Sequence, residues 1–150
     1  MVSVQLAELD EEIIVARPLI DELADREPNQ IEIRAIAATL HTFYNGIERV
    51  LELIARTVDE SVPEGPSWHR DLLQQMAESN QKRPALLSAD LKESLQEYLG
   101  FRHYFRHAYA IHLEWNQMNH LVRDLMNVYG AFRQSTDGFL DRPDLRRDGC

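Results

Sequence analysis

Apolar residues recur every three or four positions along almost the whole chain, and that spacing dictates helices packed on one another. Leu6, Leu9, Ile13, Ala16, Ile20 and Leu23 follow it at the start, and Ile36, Leu40, Phe43, Ile47, Val50 and Ile54 in the middle. Phe101, Tyr104, Ala108, Ile111, Trp115, Met118, Val122, Leu125 and Tyr129 carry it through the last third. β-branched runs are short, and no Asn-Gly or Asp-Gly stands between two alternating apolar runs, so hairpins have no signal. The 150 residues are 44% apolar, which suits one ordinary domain and excludes a fully disordered chain. No apolar run approaches the roughly 18 residues of a membrane span. The expected fold is an all-α bundle of four main helices plus a short one.

Breakers and caps place the elements. A first helix is expected over 2–24, kinked or split at Pro18, and a second over 30–58 after Pro28 and Asn29. Gly46 in its middle costs about 1 kcal/mol against Ala, which points to close approach of another helix. Residues 59–66, with two prolines and a glycine, form a loop, and Ser67 caps a third helix over 68–81. Pro84 ends that stretch. Ser88 caps a helical pattern over 89–132, with Gly100 as the joint between a short helix and a long one. Residues 1–133 make the domain, and 134–150 are expected to be a flexible polar tail. Trp68 and Trp115 read as core anchors rather than base-stacking platforms.

The formal charge of −9 argues against broad, non-specific nucleic-acid binding. It is unevenly placed. Residues 1–64 hold 14 acids against 5 bases, whereas 65–150 hold 11 of each. Between Glu97 and Glu114 there is no acid, yet Arg102, His103, Arg106, His107 and His112 all fall there. The one cysteine, Cys150, leaves no internal disulfide, and the acidic start does not read as a signal peptide, so a cytoplasmic location is expected.

Several chemistries lack their residues. There is no G-x-x-x-x-G-K-[ST], G-x-G-x-x-G or G-x-S-x-G. His103 and His107 have metal-site spacing, but without the glutamate of H-E-x-x-H and with two arginines that would repel a cation. No E-x-x-H occurs for a di-iron bundle. Neither metal nor cofactor is expected.

The basic window suits a different reaction. Arginine offers a fork of donors to phosphate, and histidine moves protons near neutrality. Together they permit RNA cleavage without metal: a base takes the 2′-OH proton, that oxygen attacks phosphorus, and fixed cations stabilise the added charge. On a helix, Arg102, Arg106 and Tyr109 lie within about 60° of one another, while His107 sits about 140° from Arg102. One ideal helix therefore cannot aim Arg102 and His107 at a single atom. At this level a packing histidine beside solvated arginines remains an open reading.

Arg102, four residues, His107, Ala108 and Tyr109 form R-x4-H-x-Y on the expected last long helix. With Phe43-Tyr-Asn-Gly-Ile-Glu48 and Trp68-His-Arg-Asp-Leu-Leu73, this resembles the HEPN superfamily, and within it the HepT-like toxins, over residues 5–133. The resemblance implies a HEPN-type helical bundle acting as a homodimer. It implies a metal-independent endoribonuclease of a type VII toxin–antitoxin pair, with two motifs forming a composite cleft between the copies. It makes His107 the proton-transfer residue and Arg102 the phosphate-binding one, with His103 and Arg106 in support. Glu48 either orients Arg102 or is a solvated acid. It further implies that Tyr109 receives AMP from a minimal nucleotidyltransferase antitoxin, switching the nuclease off. The alternative is a catalytically silent HEPN bundle that binds a nucleotidyltransferase through its acidic first half; the intact Arg102, His107 and Tyr109 weigh against it.

Overall fold

The computed structural model describes residues 1–108 and 112–142. These form five α-helices and no strand: α1 (Val2–Glu22), α2 (Gln30–Ile54), α3 (Trp68–Ala77), α4 (Ala89–His107) and α5 (Asn119–Leu140). None is long and apolar enough to cross a membrane.

α2 is the hub, packing against each of the other four. Its start is fixed by a capping box: Glu32 N–H donates to Asn29 Oδ1 at 2.9 Å, and Asn29 N–H donates to Glu32 Oε1 at 3.0 Å. Ile36, Phe43, Tyr44, Ile47, Val50, Leu51 and Ile54 along it are all fully buried. Burying apolar surface on this scale is the main stabilising term, at about 25 cal/mol per Å².

α1 lies against α2 through Leu6, Leu9, Ile13, Ala16 and Ile20. Pro18 neither ends nor splits it. Pro18 sits on the exposed face, as does Ile14, so water can satisfy the carbonyl its ring leaves unpaired. The close approach expected at Gly46 is present: a Cβ there would lie 2.5 Å from Leu9 Cδ2 and 2.9 Å from Leu9 Cγ.

Beyond α2 the backbone widens into a π-helical turn (Ala55–Asp59), stopped by Glu60 at φ 56°. Here the fold has an ion pair that the sequence did not reveal. Arg83 donates Nε to Asp59 Oδ1 at 2.7 Å and Nη2 to Oδ2 at 2.6 Å. It also donates to the carbonyls of Glu78, Pro84 and Gln75. Both side chains are buried, and every strong donor finds an acceptor, so the pair clamps the α3–α4 connection onto the end of α2.

Around α3 the structure departs from the sequence reading at one boundary and one cap. α3 ends at Ala77, because Asn80 Oδ1 captures the amides of Lys82 and Arg83 in a turn. Ser67 precedes α3, but its hydroxyl donates to Asp71 rather than capping an amide. Ser88 does cap α4, accepting from Leu91 N–H at 3.1 Å.

The largest difference is in the last third. α4 runs unbroken through Gly100 and stops at His107, and the chain reverses before a short 3-10 turn (Trp115–Gln117) and α5. A single helix over 89–132 would be about 66 Å long, far beyond the diameter of a 150-residue domain. Reversal lets α5 pack on α4, where Tyr98 Oη donates to the Leu121 carbonyl at 2.7 Å. α5 then continues to Leu140 and buries Thr136 and Phe139, so 134–140 are helix rather than tail.

Two measurements test this packing. Gly46→Ala gains about 1 kcal/mol of helix propensity but overpacks Leu9 at about 1–3 kcal/mol, so a net loss of about 1 kcal/mol is expected in urea unfolding. In a Leu9→Ala background the same substitution should become stabilising, and equal effects in both backgrounds would disprove the contact. At Asp59, burial opposes the charge, but hydrogen bonds from Arg83, Gln75 and Asn80 prevail and hold the carboxyl below its usual range. The ionised group therefore supports the fold above about pH 4, and that support is lost as pH falls through the lowered value. Asp59→Asn should cost about 3–5 kcal/mol at pH 7. Its loss of stability from pH 5 to pH 2 should be shallower than that of the wild type.

Candidate active site

The basic window occupies the C-terminal end of α4, where that helix crosses α2. Phe101 is buried and anchors the segment, its ring stacked with Phe105 at 6.2 Å and tilted against Tyr104 at 5.9 Å. Phe105 in turn lies on His41 of α2, with ring centroids 4.9 Å apart. Tyr104 Oη donates to the His112 carbonyl at 3.1 Å, tying down the far side of the turn that follows α4. An aromatic floor thus fixes the helix end, and the basic side chains stand around it.

Arg102 is partly buried, and its Nε donates to Asn45 Oδ1 on α2 at 2.9 Å. A guanidinium held by Nε has its Nη edge left to address an oxyanion. Arg106 is exposed, and among the described residues neither arginine is paired with a carboxylate. His107 is exposed, with Nδ1 2.7 Å from the His103 carbonyl and its ring 4.2 Å from that of His103. A carbonyl only accepts, so this bond places a proton on Nδ1 and leaves the lone pair of the neutral ring on Nε2. Nε2 is then the atom able to take a proton.

The structure does not join Arg102 to His107. Arg102 turns to α2, His107 turns back on its own helix, and no hydrogen bond links them. Arg106 and His107 occupy the last turn of α4, where positive charge is favoured by the partial negative charge of the helix end.

Glu48 is neither a solvated acid nor a partner of Arg102. It is buried, and its Oε2 lies 2.6 Å from Nδ1 of His69 at the start of α3. The His69 ring stacks on Trp68 at 3.7 Å. Trp68 and Trp115 are both partly buried against the core, in keeping with anchoring roles. Tyr109, two positions past His107, lies outside the described residues.

Asn45 and His41 are site residues that the sequence reading passed over. With Glu48 they stand at positions i, i+4 and i+7, a polar line that borders the buried face of the amphipathic α2. That line is the signal from which they could have been found. Burial holds the His41 imidazole below its usual value, helped by the charges of Arg102 and Arg106, so it is neutral at pH 7. Tyr44 beside it is fully buried with an unpartnered hydroxyl, and burial and Glu48 raise its ionisation far out of reach while Arg102 opposes them. A cleft of about 570 Å³ opens next to Asn45 and His41 between α1 and α2, bordered by Glu8, Glu11 and Glu12. Its rim would repel phosphate and leaves the end of α4 as the anion-accepting side. Among the described residues, no three His, Cys, Asp or Glu side chains gather as a metal site would require.

A family model described as HepT-like protein matches residues 35–142. The chain belongs to the HepT-like family. The match spans α2 from its second turn to the end of α5 and so takes in Asn45, Glu48, His69 and the motif from Arg102 to Tyr109. It starts later and ends later than the resemblance read from residues alone. No curated protein and no solved structure matches the chain. The five-helix bundle of this HepT-like chain is the HEPN-type fold that the R-x4-H-x-Y motif implied.

Proposed function

We propose that this HepT-like chain is a metal-independent endoribonuclease toxin whose active site forms between two copies. The observation that carries this reading is the divergence of Arg102 and His107. One is held to α2 through Nε with no hydrogen bond from its Nη groups among the described residues, and the other has Nε2 left to take a proton, yet within one chain they engage separate partners. A two-fold axis past the end of α4 would set Arg102 of one copy beside His107 of the other.

In the proposed reaction Nε2 of one His107 removes the proton from a ribose 2′-OH, and O2′ attacks the adjacent phosphorus. The P–O5′ bond breaks, leaving a 2′,3′-cyclic phosphate. A second imidazolium, from the other copy of His107 or from His103, protonates the departing 5′-oxygen. Arg102, with Arg106 in support, stabilises the extra charge on phosphorus. His69 occupies Glu48, which therefore acts on the site only through packing of α2 and α3.

Regulation follows from the sequence. AMP carried by Tyr109 would put a bulky anion two residues past His107, where it would occupy the arginines and block an RNA backbone. A minimal nucleotidyltransferase is the antitoxin in this scheme, and the cytoplasm is the compartment.

Purified protein in EDTA should cut single-stranded RNA. His107→Ala should abolish cutting with the dimer intact in analytical ultracentrifugation, and undiminished cutting would remove His107 from the mechanism. Arg102→Ala should lose about 2–4 kcal/mol of transition-state stabilisation, read as the fall in kcat/KM. Co-expression with a neighbouring nucleotidyltransferase should add AMP-sized mass increments to the wild type and none to Tyr109→Phe, which should remain an uncontrolled nuclease. Mass increments persisting in Tyr109→Phe would place the modification elsewhere.

A further inference from the structure

We infer that Asn45 is the positioning residue for Arg102, holding the guanidinium so that its Nη edge meets the phosphate while leaving its charge intact. The inference rests on the ribonuclease reading and concerns how that site is built.

Three observations converge on it. The first is the bond itself: Nε of Arg102 to Oδ1 of Asn45 at 2.9 Å, between side chains 57 positions apart and both partly buried. It is the one hydrogen bond from the Arg102 side chain to another described residue, so its loss would free the guanidinium to rotate about the side-chain torsions. The second is that the backbone beneath Asn45 is itself fixed. Asn45 lies between fully buried Tyr44 and Gly46, whose close contact with Leu9 locks α1 onto that turn of α2. The amide is therefore carried on a part of the bundle that cannot shift by itself. The third is the surround. His41, one turn earlier on α2, lies against Phe105 and within 3.4 Å of the Asn45 amide nitrogen, so the amide meets a neighbour at its nitrogen as well as Arg102 at its oxygen.

The choice of amide over acid has a physical reason. A carboxylate at 45 would accept from Nε more strongly but would cancel most of the positive charge offered to the phosphate. The nearest acid on this line of α2, Glu48, is turned away and engaged by His69. The neutral ring of His41 likewise adds no third cation that would compete with the arginines for the anion. Orientation is thus supplied without neutralisation, as a transition-state donor requires.

The test uses the full-length protein and three variants, Asn45→Ala, Asn45→Asp and Arg102→Lys. In proton–nitrogen correlation spectra the Arg102 Nε–H signal, identified by its loss in Arg102→Lys, should be slowed in exchange with water in the wild type and in Asn45→Asp. It should be lost to fast exchange in Asn45→Ala. Steady-state cleavage of a short RNA should show kcat lowered about tenfold to a hundredfold in Asn45→Ala with KM within twofold. Asn45→Asp should keep the Nε–H signal protected yet leave kcat below the wild type and raise KM severalfold, because orientation returns while the charge offered to the phosphate is reduced. Thermal unfolding of both variants shows that the bundle is folded. An Arg102 signal unchanged in Asn45→Ala, or lost in Asn45→Asp as well, would overturn the positioning role. A wild type that cleaves but an Asn45→Ala that cleaves equally well leaves the reaction standing and removes Asn45 from it. A wild type that cleaves no RNA removes the reaction itself, whatever the spectra show.

Discussion

α2 is enclosed by all four other helices, and that enclosure governs what its polar residues can be. A polar group carried into such surroundings costs free energy unless it finds a partner. His41, Asn45 and Glu48 each find one on a different neighbour or position: the Phe105 ring, the Arg102 Nε and the His69 Nδ1. The three contacts fix the end of α4 and the start of α3 relative to one helix. The basic residues are therefore presented by a rigid core rather than by a loop, which suits a site that must hold a phosphate in one geometry. Gly46 belongs to the same logic. A side chain there would drive α1 away from the turn that carries Asn45.

What the sequence revealed follows from which forces are local. Helix starts were legible at Asn29 and Ser88, because a capping side chain acts on amides two or three residues away. The apolar stripes were legible because burial of a helix face imposes its own period. The reversal after His107 was not, because spacings of three and four persist across it in the sequence, from Tyr104 and Ala108 through Ile111 and Trp115 to Met118 and Val122. Only the length argument, that a domain this small cannot house so long a rod, distinguishes the two. The buried Arg83–Asp59 pair was equally hidden, since its partners are 24 residues apart and each alone reads as a surface charge.

The candidate site divides the same way. Arg102 and His107 were legible as a motif, and their divergence was already implied by about 140° of helical rotation. Glu48 was singled out by the family-like segment from Phe43, but its partner was not legible, because any of several basic residues could have met it in the fold. Asn45 was overlooked because amides on helices are common and carry no charge to attract notice. It is nonetheless the residue that makes Arg102 more than a solvated cation.

Net charge and site geometry then combine into one argument. The acids crowd the first 64 residues, and Glu8, Glu11 and Glu12 line the cleft beside Asn45, whereas the arginines of α4 are paired with no carboxylate among the described residues. Under the proposed function, an RNA backbone approaching this surface would be repelled at the α1 side and accepted at the end of α4, within the Debye length of about 8 Å over which screening is weak. Binding confined to so small an area has few phosphates to engage, so affinity depends heavily on each cation present. Under those conditions one added anion near Arg102 and Arg106 removes a large share of the attraction. In the proposed function, the same layout that would let a net-acidic chain hold RNA would also make it easy to silence.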